Sequence, residues 1–201
     1  MRPWRVWWML AVACAPSAAS RAVSEVTAPG DGPVLLASLP SAPGVRLTYL
    51  ITREAPDSGV APDREEAFYG TPATLPDGTP VSRYVTPLEV VYQQIDDTAL
   101  TVWGSSVDGV LEHPQVLLSY PLKAGRRWTS GDPSTPAWYK FQVEGIEEVT
   151  TPAGRFDAVR VNMLNTKTNE SVQRWYAPGV GLVVRSGGTR LEHYVVPGGG
   201  S

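Results

Sequence analysis

The chain has 201 residues, 42% of them hydrophobic and 18% charged, with 17 basic against 20 acidic side chains and a single cysteine. That length and apolar content suffice for one buried core. The acidic balance, with no basic stretch interleaved with aromatics, argues against nucleic acid as a partner, and one cysteine rules out a disulfide within the chain.

The N-terminus reads as an export signal. Arg2 and Arg5 precede a short apolar run, Val6 to Ala13, too short to span a bilayer as a permanent helix. Leu10-Ala11-Val12-Ala13-Cys14 resembles a lipobox, the bacterial motif whose cysteine is acylated and becomes the new N-terminus. Residues 1–13 are then the signal and Cys14 the lipidation site. The alternative is cleavage after Ala19, beyond the small residues Ser17 and Ala19. Loss of Arg2 and Arg5 leaves 15 basic and 20 acidic residues, a formal charge of −5. Residues 14–44, rich in Ala, Pro, Ser and Gly, bury too little to offset their chain entropy and read as a flexible tether.

The domain begins at Val45 and runs to Val196. Val45, Leu47, Tyr49 and Ile51 alternate with Arg46 and Thr48, the period of a strand with one wet face. Residues 53–82 hold Pro56, Pro62, Pro72, Pro76 and Pro80. They read as a long proline-rich loop, disordered or a lid over one face of the sheet, with room for a short strand at Ala67 to Tyr69. Asp63 to Phe68 is the best helix candidate and is barely a turn and a half. Strand patterns resume at Leu88 to Ile95, Ala99 to Trp103 and Val116 to Tyr120, with turns at Asp96-Asp97, Asp108-Gly109 and Pro121 to Gly125. About eight to ten antiparallel strands in succession predict an all-β single domain, a strongly curved sheet forming an open barrel or a sandwich. Residues 197–201, Pro-Gly-Gly-Gly-Ser, predict a disordered tail.

The stretch from Val143 to Arg185 has the most definite turn chemistry. Tyr139, Phe141 and Val143 share one parity. Pro152 and Gly154 then predict a type I turn closed by a glycine bulge, because Pro pre-sets φ and Gly admits φ > 0. Val159, Val161 and Met163 alternate onward. Ala177-Pro178-Gly179 predicts a type II turn or corner before Val180, Leu182 and Val184. Thr151-Pro152-Ala153-Gly154-Arg155-Phe156-Asp157-Ala158-Val159-Arg160, followed by Trp175-Tyr176-Ala177-Pro178-Gly179-Val180-Gly181-Leu182-Val183, resembles a pattern recurrent in uncharacterised secreted bacterial proteins and lipoproteins. The resemblance covers roughly Leu118 to Arg185. It implies a curved antiparallel sheet and an exported protein, with no established activity to carry over.

No catalytic set, cofactor site or metal site is legible in the sequence. His113 and His193 stand far apart, with no partners at ligand spacing. Gly104-Ser105-Ser106-Val107-Asp108-Gly109 lacks the following helix of a nucleophile elbow and reads as a hairpin. Glu65-Glu66 and Glu147-Glu148 point to opposite faces of a strand and read as solvated charge. The aromatics remain. Trp103, Trp138, Phe141, Trp175 and Tyr176 lie in or beside strands, where a concave face could hold an apolar ligand, although core packing is the reading that large aromatics favour by buried area. Two readings follow. One is an exported, lipid-anchored module of the bacterial cell envelope that binds a lipid or other apolar ligand. The other is a structural or assembly lipoprotein acting through envelope protein partners, with residues 53–82 and any free strand edge as its contact surface. A hydrolase with dispersed carboxylates is the third and weakest.

Overall fold

The computed structural model describes residues 39–52, 61–131, 138–195 and 197. The signal, Cys14, most of the tether and the end of the tail lie outside the described residues, which contain thirteen strands and no helix. In chain order these are β1 (Arg46–Ile51), β2 (Asp63–Tyr69), β3 (Ala73–Thr74), β4 (Pro80–Val85), β5 (Val90–Ile95), β6 (Ala99–Ser105) and β7 (Gly109–Ser119). They continue with β8 (Arg127–Ser130), β9 (Tyr139–Thr151), β10 (Gly154–Asn165), β11 (Ser171–Ala177), β12 (Gly181–Arg185) and β13 (Thr189–Val195). The predicted all-β, strongly curved antiparallel sheet is what forms.

All ladders are antiparallel, and the strand order is β7-β6-β5-β4-β2-β1-β13-β12-β11-β10-β9-β8, with β3 attached to β4. The sheet curls until its two edges meet. No backbone ladder joins β7 to β8. Instead the Val116 N–H donates to Ser130 Oγ at 2.6 Å, and Trp128 Nε1–H donates to the Val116 carbonyl at 3.0 Å. The result is a nearly closed barrel. Register shifts in the β1–β13, β5–β6, β6–β7, β9–β10 and β11–β12 ladders supply bulges, with the extra residues on β13, β6, β7, β9 and β12, and each bends its strand and tightens the twist.

The interior is a continuous core in which Leu47, Tyr49, Tyr69, Tyr84, Leu100, Leu118, Tyr176, Leu182 and Leu191 are all fully buried. Each large apolar side chain removed from water contributes roughly 1.5–3 kcal/mol before entropy is charged against it. The distal half of the β9–β10 hairpin reaches across to β13. There the Ala153 N–H donates to the Leu191 carbonyl at 3.2 Å, and Phe156 meets Tyr194 edge-on at 6.5 Å.

A turn forms at both predicted places in the Val143 to Arg185 stretch, the first without the expected glycine bulge, since the ladder runs in register from Gly154 to Arg160. Thr151 pairs directly with Gly154, whose φ is +135°, across Pro152 and Ala153. At the second, the Val180 N–H donates to the Ala177 carbonyl at 3.1 Å, with Gly179 at φ +67°. That is the arrangement of a type II turn with Pro178 at its second position.

Residues 53–82 are a correction. Residues 53–60 lie outside the described residues, but the rest is not a loop: β2, β3 and the start of β4 occupy it, and the helix candidate at Asp63 to Phe68 is strand. All six residues of β1 pair with β2, whereas β2 meets β4 only at Phe68↔Val85 and Tyr69↔Tyr84. Asp63 to Glu66 therefore lie beyond the β2–β4 ladder. Their charged side chains, which made the segment look like loop, are what an edge strand carries. The same hidden strands raise the number above the expected eight to ten.

Candidate functional site

The described part of the barrel has two ends. The lower end carries the start of β1, the Ala177 to Val180 turn and the hairpin tip at Pro152 and Ala153. The upper end carries the β10–β11 and β12–β13 turns, residues 166–170 and 186–188. Just inside the upper end runs one inward-facing row, set by register: Val161 opposite Arg174, Arg174 opposite Arg185, Arg185 opposite Thr189 and Thr189 opposite Ile51. Two arginines thus sit side by side inside the wall, 3% and 8% exposed.

Their surroundings are phenols and one carboxylate. Arg185 Nη2 donates to Thr189 Oγ1 at 3.0 Å. Burial, with the charge of Arg174 beside it, holds Arg185 below the usual guanidinium range, while Glu65 and the phenols of Tyr49 and Tyr84 act in the other direction. Arg174 makes no corresponding bond to a hydroxyl among the described residues. Its Nε and Nη1 are buried and have no hydrogen-bond partner among the described residues. Burial raises Tyr139, and the nearby Arg174 partly offsets that rise. Burial pushes Tyr49, Tyr84 and Tyr120 well above the ordinary phenol range, so all three remain protonated. The Tyr49 hydroxyl donates to the Leu182 carbonyl at 3.2 Å, and the Tyr69 hydroxyl donates to Gln93 Oε1 at 3.2 Å. One step above the arginine row lies an apolar one, Phe141 opposite Met163 and Met163 opposite Val172. Trp128 stacks on Phe141 with centroids 5.0 Å apart.

The five aromatics proposed as ligand lining do not share a face. Phe141 and Tyr176 are buried in the core. Trp103 alternates with the buried Leu100 and Val102 and donates its Nε1–H to Gln94 Oε1 at 3.1 Å. Trp138 precedes β9, where its N–H and C=O both bond the Thr166 hydroxyl and Lys140 lies 5.2 Å from its ring centre. Trp175 lies between the inward Arg174 and Tyr176 and donates its indole N–H to Glu147 Oε1. Around it Arg160 pairs with Glu144 at 2.7 Å and with Glu147 at 3.3 Å. Glu147 is thus held by an indole and a guanidinium rather than simply solvated.

A depression of about 490 Å³ lies along β8, β9 and β10, with Arg127, Gln142 and Asn162 in one register row and Thr129, Lys140 and Leu164 in the next. Among the described residues no three His, Cys, Asp or Glu side chains converge as metal ligands. Ser105 Oγ accepts from the Val107 and Asp108 N–H groups inside the β6–β7 hairpin.

Sequence reading missed Arg174 and Arg185. The signal for Arg174 was present, since it shares parity with Val172 and Tyr176. Arg185 carried none, because the register shift between Trp175 and Tyr176 changes the phase of β12 against β11.

Fold and site together define an all-β barrel protein with a buried basic interior. Residues 139–189, which span β9 to β12 and so include both arginines, match the model of a DUF3108-like family. No curated protein matches the chain. Two solved structures are similar at 15% identity. One is described as a "putative lipoprotein" of Parabacteroides distasonis, with TM-score 0.31, covering 78% of this chain and 97% of that one. The other is described as a "putative exported protein" with a YmcC-like fold from Bacteroides fragilis, with TM-score 0.33, covering 80% and 99%. Likenesses this distant carry no weight for the site.

Proposed function

We propose that the chain is an exported module of the bacterial cell envelope, anchored through an acylated Cys14, that binds a ligand inside the upper end of its barrel and catalyses no reaction. The export signal and the lipobox-like Leu10 to Cys14 support the location. The observation that carries the binding role is the interior polar row. A barrel serving only as scaffold gains nothing from a buried guanidinium whose donors stay unsatisfied, whereas a ligand site needs a few convergent polar groups in an apolar wall. The test is mass spectrometry of protein purified gently from its native envelope. The expected result is an acylated N-terminal Cys14 and a small molecule released on denaturation. A chain starting at Ser20 would remove the anchor, and absence of any bound molecule would remove the ligand.

A second reading, contact with an envelope protein, has its own observation. Leu88, Val107 and Val110 are 75%, 66% and 49% exposed. Their two turns are tied together by the Ser106 N–H on the Val90 carbonyl and the Val90 N–H on Ser106 Oγ. Exposed apolar residues gathered at adjacent turns are the kind of patch a partner covers. Crosslinking from Val107 in intact cells tests it, and a partner lost on Leu88→Ser is the expected outcome.

A further inference from the structure

Arg174 and Arg185 stand directly opposite each other on β11 and β12, and both are more than nine-tenths buried. Like charges in cross-strand pairs repel, and burial strengthens the repulsion. Arg185 has compensation in the Thr189 hydroxyl and the nearby charge of Glu65. For Arg174 the described residues supply none at Nε or Nη1. A guanidinium presents its donors as rigid planar forks, Nη1 with Nη2 or Nε with Nη2, each matching the two oxygens of a carboxylate or phosphate, so each fork of Arg174 contains one of these unpartnered nitrogens. The apolar row Phe141, Met163 and Val172 lies on the side of Arg174 toward the upper end. A group entering there would meet apolar wall first and charge behind it.

We propose that this row is an oxyanion site: Arg174, with Arg185 beside it, takes the carboxylate or phosphate head of an amphiphile whose apolar part lies along Phe141, Met163 and Val172. The inference rests on the reading that the barrel holds a ligand, and it specifies that ligand's class. The anion would join Arg174 and Arg185 from between, turning a repulsive pair into a clamp.

The test titrates the mature protein, stripped of bound small molecules, with dodecanoate, dodecyl phosphate, dodecanol and inorganic phosphate, by calorimetry and thermal melting. One or both anionic amphiphiles should bind, with the neutral alcohol weaker by about ten- to a hundredfold, the worth of a charge-assisted hydrogen bond. Arg174→Met should lose that preference while keeping its weak affinity for dodecanol. Without ligand it should melt at or above the wild type, because an apolar side chain replaces a buried charge. Where Arg174→Met does not fold, Arg174→Lys keeps the charge without the fork, and undiminished binding by it overturns the site. Inorganic phosphate binding as tightly as dodecyl phosphate would keep the oxyanion site and remove the amphiphile from it. Equal binding of dodecanol and dodecanoate, unchanged in Arg174→Met, would overturn the oxyanion site and leave a barrel ligand standing. Binding of none of the four would overturn the oxyanion site, and the native mass spectrum would then decide separately whether the barrel holds a ligand at all.

Discussion

Gly154 shows how a single residue holds a hairpin in register. Its φ of +135° is open to glycine and strained for any side chain with a β-carbon. Space is not the constraint, since an added Cβ would meet nothing nearer than the Phe156 ring at 3.9 Å. Gly154→Val should therefore cost about 1–3 kcal/mol through backbone strain alone, read as a lower denaturant midpoint with an unchanged slope. Gly104 differs, because its Cβ would lie 2.1 Å from the Gly109 carbonyl oxygen and the β6–β7 pairing itself would have to move. The sequence announces Gly154 through its neighbours, Thr151 and Pro152. It announces Arg174 only to a reader who trusts alternation over composition: Val172, Arg174 and Tyr176 share one parity, yet an arginine between them reads as solvent-facing. What decides its burial is the closure of the sheet around it, which no local window contains.

At the scale of elements, the seam between β7 and β8 is the part of the wall with the least backbone bonding. Ser130 is buried, and its hydroxyl is the acceptor for the Val116 N–H. Ser130→Ala leaves that N–H without a protein partner at the seam, a cost of about 1–3 kcal/mol if it stays dry. Amide exchange at Val116 should speed up more than at residues in the β9–β10 ladder, and equal acceleration everywhere would show that the seam is not a separate opening unit. β2 teaches the complementary lesson about legibility. Its charged first half and the prolines around it have the composition of a loop, and composition misleads because an edge strand solvates charge as readily as a loop does. β9, paired along nearly all its length with β10, and β10 and β11, each with a ladder on both sides, show the alternation that made them plain.

For the molecule as a whole, one core cluster draws on strands from every part of the sheet, so no half of the barrel has a core of its own. Leu118 on β7 and Leu182 on β12 are both fully buried. Leu118→Ala and Leu182→Ala should each destabilise by about 2–5 kcal/mol and should shift the same single transition. Two separable transitions would show two folding units. Sheet curvature was legible from strand number and turn chemistry, while the choice between barrel and sandwich was not, because it depends on whether the first and last strands of the order meet. They are neighbours in sequence, β7 and β8, which makes their meeting a short-range event once the rest of the sheet has curled. One further property follows from the direction of β1. It enters at the lower end, where Gly44 packs close to Pro197, and climbs to Ile51 beside the arginine row. Both described chain ends therefore leave from the floor of the barrel. Under the proposed anchoring at Cys14, the tether would hold the barrel by this floor, like a cup held by its base, with the arginine row toward the opposite rim.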